Sequence, residues 1–227
     1  MTSRKRSYDD GCANAHALEL IGERWALLVI RELMLGPKRF KDIQSGLPGI
    51  SPNVLSQRLD ELEAASIVLR RQAPPPVSAR VYELTPWGYE LEPIMQAIGR
   101  WAVRSPTKTL GPLSVNSLIL SLRTMFDASK AQGLELAVGL ELNGQSFRAV
   151  IADGALTVTA GAQGACDVSM SGDSNVIAAI IYGGQDAQTR AASGALRLTG
   201  DARRLKRFAA CFTLPAPAAR TQALSIS

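Results

Sequence analysis

Residues 105–114 read SPTKTLGPLS, two prolines and a glycine among small polar residues near the middle of a 227-residue chain. Proline removes a backbone donor and fixes φ, so neither a helix nor a sheet ladder runs through such a stretch. It separates two halves of different texture. Before it come long helical patterns and all of Trp25, Trp87 and Trp101; after it come small residues, repeated glycines and short β-prone runs. With 46% hydrophobic residues, each half has enough apolar material for its own core. The chain is therefore expected to form two domains, residues 1–106 and 112–220.

Composition excludes several chemistries. One histidine cannot supply a metal centre built on two or more histidines within a chain. Cys12, Cys166 and Cys211 form no C-x-x-C pair, and an odd count is a poor disulfide framework. No metal, no cofactor and a reducing, cytoplasmic compartment are the expectations. The start of the chain is charged, and the apolar stretch at 13–35 is interrupted by Glu19, Glu23, Arg24 and Arg31, so neither a signal peptide nor a membrane span is expected. His16 falls in the first helical pattern, and no G-x-S-x-G, P-loop or dinucleotide fingerprint accompanies it, so no catalytic residue is assigned. A formal charge of +5 permits a nucleic-acid partner without requiring one.

The first half carries a sharper pattern. Trp25, Leu28, Val29 and Leu33 recur at helical spacing up to Gly36-Pro37; a second short helix carries Phe40, Ile43 and Leu47. Ser51-Pro52 opens a third, with a capping hydroxyl followed by a residue suited to the first helical position. Leu55, Leu59 and Leu62 form its apolar stripe, while Asn53, Ser56, Gln57 and Asp60 point the other way and Arg58 sits on the flank. Short hydrogen-bonding side chains beside cations suit contact with base edges and phosphates. Two β-prone runs, 67–71 and 80–85, flank a proline-rich tip, and a last helix runs from Thr85-Pro86 to Ala102. Helix–helix–helix–hairpin–helix is the order of a winged helix-turn-helix. Lys38, Arg39, Lys41, Arg70, Arg71 and Arg80 gather around it, either as phosphate contacts or as solvated turn and strand residues.

The run Cys12, 17–22, Arg24-Trp25, Leu33, Gly36-Pro37, Arg39-Phe40, 47–52, Val54-Leu55, Arg58-Leu59, Leu62 and 82–85 resembles HxlR-type transcriptional regulators over about residues 8–104. The resemblance implies a homodimer joined through its first and last helices on a pseudo-palindromic double-stranded DNA operator. It places helix 51–64 in the major groove and wing 70–80 near the backbone or minor groove. The DNA-binding set is then Lys38, Arg39, Lys41, Ser51, Asn53, Ser56, Gln57, Arg58, Arg70, Arg71 and Arg80. Some regulators of this type sense oxidants through a cysteine ahead of the first helix, the place of Cys12. A helix N-terminus and Arg4, Lys5 and Arg6 favour its thiolate, while Asp9 and Asp10 oppose it; an inert cysteine is the alternative.

The second half reads as a helix at 114–130, strands at 134–142, 146–152, 155–159, 168–172 and 194–198, a helix capped at Asp173-Ser174, and a terminal helix after Gly200-Asp201. The expected fold is a small α+β domain with an antiparallel sheet and helices on one face. Residues 153–156, 168–172 and 194–201 with Leu205 and Phe208 are similar to the sterol-carrier-protein-type domain over about 112–215. That similarity implies an apolar cavity, whose lining would be Leu118, Leu122, Phe126, Phe147, Met170, Ile177, Ile181 and Phe208. The expected function is a DNA-binding regulator whose affinity responds to an apolar small molecule, with no membrane partner. The alternatives are a small-molecule carrier whose winged helix makes protein contacts, and a redox regulator acting through Cys12.

Overall fold

The computed structural model describes residues 7–73, 79–107, 111–161 and 164–219. They form two compact units, 1–95 and 96–227, with the chain passing from one to the other inside a helix.

The first unit begins with α1 (Ala13–Ile21), α2 (Ala26–Leu33), α3 (Phe40–Ser45) and α4 (Pro52–Ala64), followed by β1 (Val68–Gln72) and β2 (Arg80–Leu84). Val29, Ile30 and Leu33 of α2 meet Ile43 of α3, Leu55, Leu59 and Leu62 of α4, and Val68, Tyr82 and Leu84 of the hairpin in one buried core. The strands pair antiparallel from Val68 opposite Leu84 to Gln72 opposite Arg80. The proline-rich tip, 74–78, lies outside the described residues. Lys38 adds a short third edge: its backbone exchanges two hydrogen bonds with Tyr82, at 2.9 and 2.8 Å.

The helix expected from 85 to 102 is broken into α5 (Pro86–Tyr89) and α6 (Leu91–Ala102). Thr85 caps the first piece as its sequence suggests, its Oγ1 accepting from the Gly88 N–H at 3.0 Å and donating to the Ser66 carbonyl at 2.8 Å. Gly88 is dictated by close approach: a Cβ there would lie 2.3 Å from the Ile67 carbonyl oxygen.

The second unit holds α7 (Val115–Met125), a 3₁₀ turn (Ala128–Ala131), β3 (Leu136–Leu142), β4 (Gln145–Ala152), β5 (Ala155–Ala160), β6 (Val168–Gly172), α8 (Ser174–Gly183), α9 (Ala187–Ala192), β7 (Leu196–Gly200) and α10 (Ala202–Ala210). The turns Asn143-Gly144 and Asp153-Gly154 have positive φ at both residues, the conformation that suits tight hairpins, and they join β3 to β4 and β4 to β5 antiparallel. The sheet is nevertheless mixed. Its order is β5-β4-β3-β6-β7, and β6 runs parallel to β3, which corrects the expected antiparallel sheet. After β5 at the edge, the chain crosses β4 and enters on the far side of β3, a connection no hairpin signal announces. The expected helix at 114–130 stops at Met125, and α9, capped by Asp186, is an element the apolar periodicity does not reveal.

The buried sheet residues, among them Val138, Leu140, Ala149, Ile151 and Met170, are covered by α7, α8 and α10 through Leu118, Leu122, Ile177, Ile181, Leu205 and Phe208. Phe126, Phe208, Phe212 and Tyr182 form an aromatic cluster around Phe212, with centroids 4.8 to 6.5 Å from its ring.

Gly88→Ala forces a methyl group against the Ile67 carbonyl. We expect it to lower stability by about 1–3 kcal/mol, read as a shift in the urea midpoint of the first unit's tryptophan fluorescence.

Candidate nucleic-acid interface

Helix α4 owes its orientation to its leucines. With Leu55, Leu59 and Leu62 fully buried, the opposite side of a 3.6-residue helix must face water, and Asn53, Ser56, Gln57 and Asp60 are exposed there. Ser51 is exposed, but its Oγ accepts from the Val54 N–H at 3.3 Å, so its hydroxyl serves the cap. Gln57 donates to Glu61 at 3.0 Å, a contact on the helix surface that a stronger partner can displace. The interface therefore offers Asn53, Ser56 and Gln57 as hydrogen-bonding groups in a row.

The cations divide into two groups. Arg58, expected on the flank, is 7% exposed, with its guanidinium 2.6 Å from the Glu61 carboxylate and 3.5 Å from that of Glu23. The side chain is part of the packing between α4 and the segment before α2. Lys38 Nζ lies 2.9 Å from Glu32, a carboxylate on α2 that is only 1% exposed and is also bound by Arg31. Burying that carboxylate requires such partners. Arg70 is paired with Asp60 and, at 2.8 Å, with Glu63, and it lies 5.4 Å from the Tyr82 ring centroid; Arg71 is paired with Glu83. By contrast, Arg39, Lys41 and Arg80 are exposed, and among the described residues no carboxylate pairs with them. Sequence reasoning missed the partners Glu32, Asp60, Glu61, Glu63 and Glu83. Only Arg58 and Glu61, three residues apart on one helix, carried a local signal.

Cys12 stands exposed at the N-cap of α1, where the backbone N–H groups of Asn14 and Ala15 hold its thiol below the ordinary value. The Asp10 carboxylate accepts from the Cys12 N–H at 2.9 Å. Arg4, Lys5 and Arg6 lie outside the described residues. Cys211 is buried, and burial pushes its thiol up.

The eight expected cavity residues fall at several places in the second unit. Leu118, Leu122, Ile177 and Phe208 are packed in the core, and Phe147 and Met170 border a small cleft with polar sheet residues. Phe126 borders a cleft of about 580 Å³, and Ile181 one of about 440 Å³ whose walls include Ile180, Ala187, Leu205 and Ala209. Among the described residues no cluster of three His, Cys, Asp or Glu suits a metal, and no helix is long and apolar enough to cross a membrane.

Three helices, a recognition-type helix with a polar outer face and a two-stranded wing define the first unit as a winged helix-turn-helix module. Residues 20–109 match the family model described as HxlR-like helix-turn-helix. The HTH-type transcriptional regulator YodB of Bacillus subtilis is 43% identical over 86 residues, 38% of this chain and 77% of the relative. The HTH-type transcriptional regulator YvaP of the same species is 39% identical over 87 residues, 38% of this chain and 80% of the relative. The chain belongs to the HxlR-like family of DNA-binding transcriptional regulators. The crystal structure of quinone-bound YodB is 40% identical over 40% of this chain and 97% of its own, with a TM-score of 0.35. Residues 104–218 match the alkyl sulfatase C-terminal family model, and the chain belongs to that family through this half. The sec-alkylsulfatase Pisa1 of Pseudomonas sp. is 21% identical over 44% of this chain but only 16% of its own length, with a TM-score of 0.40.

The thiol environments predict an order of reactivity. A thiol with a lowered pKa is more fully thiolate at neutral pH, so iodoacetamide should label Cys12 well before Cys211, with the Cys12 rate levelling off at a pH below its ordinary value of 9.0. Peptide mass spectrometry across pH checks both.

Proposed function

We propose that this protein is a homodimeric regulator that binds a pseudo-palindromic operator, with α4 in the major groove and the β1–β2 wing beside the backbone or minor groove. The observation that carries this reading is the outer face of α4, where Asn53, Ser56 and Gln57 stand exposed opposite a buried leucine stripe. Arg39, Lys41 and Arg80 supply phosphate contacts, and the paired Lys38, Arg58, Arg70 and Arg71 hold the framework. Dimerisation is supported by apolar groups exposed on the outer helices, Leu18 on α1 and Ile94, Ile98 and Trp101 on α6. The functional domains in this reading are 1–106 and 112–220, in a cytoplasmic setting.

The second domain is, in the same proposal, a sterol-carrier-like module whose apolar effector shifts DNA affinity. The cleft of about 440 Å³ beside Ile181 and Leu205 offers it apolar walls. The effector must bind one spacing of the paired recognition helices more tightly than the other, because equal binding shifts nothing.

A gel shift on the promoter beside the protein's own gene tests the reading. We expect specific, salt-sensitive binding; its absence would favour the carrier alternative. Arg39→Gln, Lys41→Gln and Arg80→Gln should each weaken all sites alike and reduce the salt slope by about 1, whereas Asn53→Ala and Gln57→Ala should cost about 1–3 kcal/mol of discrimination at one base position.

The exposed, helix-capping Cys12 favours a redox input as a second reading. Diamide treatment should then release the operator from the native protein and not from Cys12→Ser; identical behaviour of the two would exclude it.

A further inference from the structure

Gln57, on the outer face of α4, does not turn freely. Its Nε2 donates to Glu61 Oε1 at 3.0 Å, one helical turn further on. A carboxylate only accepts hydrogen bonds, so the amide nitrogen must face Glu61 and the amide oxygen must face away from it. Glu61 is held in turn. Its other oxygen, Oε2, lies 2.6 Å from Arg58 Nη1, and that arginine is buried. Arg58 Nη1 also lies 3.5 Å from the carboxylate of Glu23, in the segment between α1 and α2. Gln57 thus stands at the outer end of a chain Gln57–Glu61–Arg58–Glu23 whose middle is fixed by packing.

The tether decides what Gln57 offers to a partner. It borders a shallow groove with Asn53, Ser56, Asp60, Glu61 and Ala64, whose two acid groups are ion-paired to Arg70 and Arg58. With one hydrogen of Nε2 given to Glu61, the carboxamide keeps Oε1 and a second hydrogen, an acceptor beside a donor. In the major groove adenine presents the complement, the N6 amine as donor and N7 as acceptor. Guanine presents two acceptors there, O6 and N7, and Oε1 would meet one of them with no hydrogen between. An untethered glutamine could turn its nitrogen toward guanine; Gln57 cannot do so without giving up Glu61.

We propose that Glu61 is a specificity-determining positioning residue, which fixes the Gln57 carboxamide so that it reads adenine in the major groove. Oε1 accepts from adenine N6, and the N–H on the same edge donates to N7. The N–H on the far edge stays on Glu61, so reading the base leaves the tether intact. The inference rests on the operator-binding reading of α4 and adds to it one base and the residue that selects it.

Selection of bound duplexes from a random-sequence pool, with the full native chain and its variants, tests it. Gln57→Ala identifies the base pair concerned, as the position whose preference it abolishes. We expect the native chain to prefer A·T at that position by about tenfold. Replacing that adenine with 7-deazaadenine, which lacks the N7 acceptor, should weaken native binding by about fivefold and leave Gln57→Ala unaffected. Glu61→Gln is nearly isosteric but can donate as well as accept, so it no longer dictates which end of Gln57 faces it. Its preference for A·T at that position should fall by about fivefold, with the other positions unchanged. A merely structural role, or the loss of one negative charge, would move all positions alike. Should Glu61→Gln melt below the native chain, the 7-deazaadenine result on the native protein decides. A G·C pair at the Gln57 position, no position altered by Gln57→Ala, 7-deazaadenine without effect, or a folded Glu61→Gln with its preference intact would each overturn the proposal while operator binding stands. Selection of no sequence at all would overturn the operator-binding reading itself, and this proposal with it.

Discussion

Burial of Leu55, Leu59 and Leu62 on one side of α4 governs the winged-helix unit. Truncating one such leucine in a packed core costs about 2–5 kcal/mol, whereas an exposed ion pair contributes about 0–1 kcal/mol. The leucines therefore decide which way the helix faces, and its polar residues take the side that is left. The same core receives α2, α3 and the hairpin, so the position of the wing relative to α4 follows from the same packing. Asn53, Ser56 and Gln57 need no interactions of their own to reach the surface.

Charge follows a different logic. Seven basic residues around α4 and the wing look alike in the sequence, yet the fold gives them two tasks. Lys38 is drawn to the buried Glu32, Arg58 to Glu61 and Glu23, Arg70 to Asp60 and Glu63, and Arg71 to Glu83. Arg39, Lys41 and Arg80 remain facing solvent. A buried carboxylate such as Glu32 must take a cationic partner because leaving it alone in a low-dielectric core is far more unfavourable than exposing one lysine fewer. Net charge was consequently a poor guide to the cations available for phosphate.

The second unit shows where local signals run out. Asn143-Gly144 and Asp153-Gly154 announced their hairpins, because positive φ at both turn residues selects such pairs. Asp173 and Asp201 announced their helices by capping them. The parallel pairing of β6 with β3 left no trace in either strand, since both are short runs with alternating burial that suit either direction. The expected cavity residues show the same limit. Periodicity identified Leu118, Leu122, Ile177 and Phe208 as inward-facing, but an inward residue packs against neighbours or borders a void depending on how the helices close on the sheet.

The sequence by itself determined the helix–helix–helix–hairpin order from α2 to β2, the buried stripe and polar face of α4, the caps at Ser51 and Thr85, and the hairpin turns of the second half. Each depends on residues within a few positions of one another, where helical or strand periodicity and side-chain-to-backbone hydrogen bonds act. Tertiary structure alone decided the mixed sheet, the burial of Arg58 and the carboxylate partners of the basic residues. Those features join groups distant in the chain, and their energies depend on burial and distance, which no local pattern encodes.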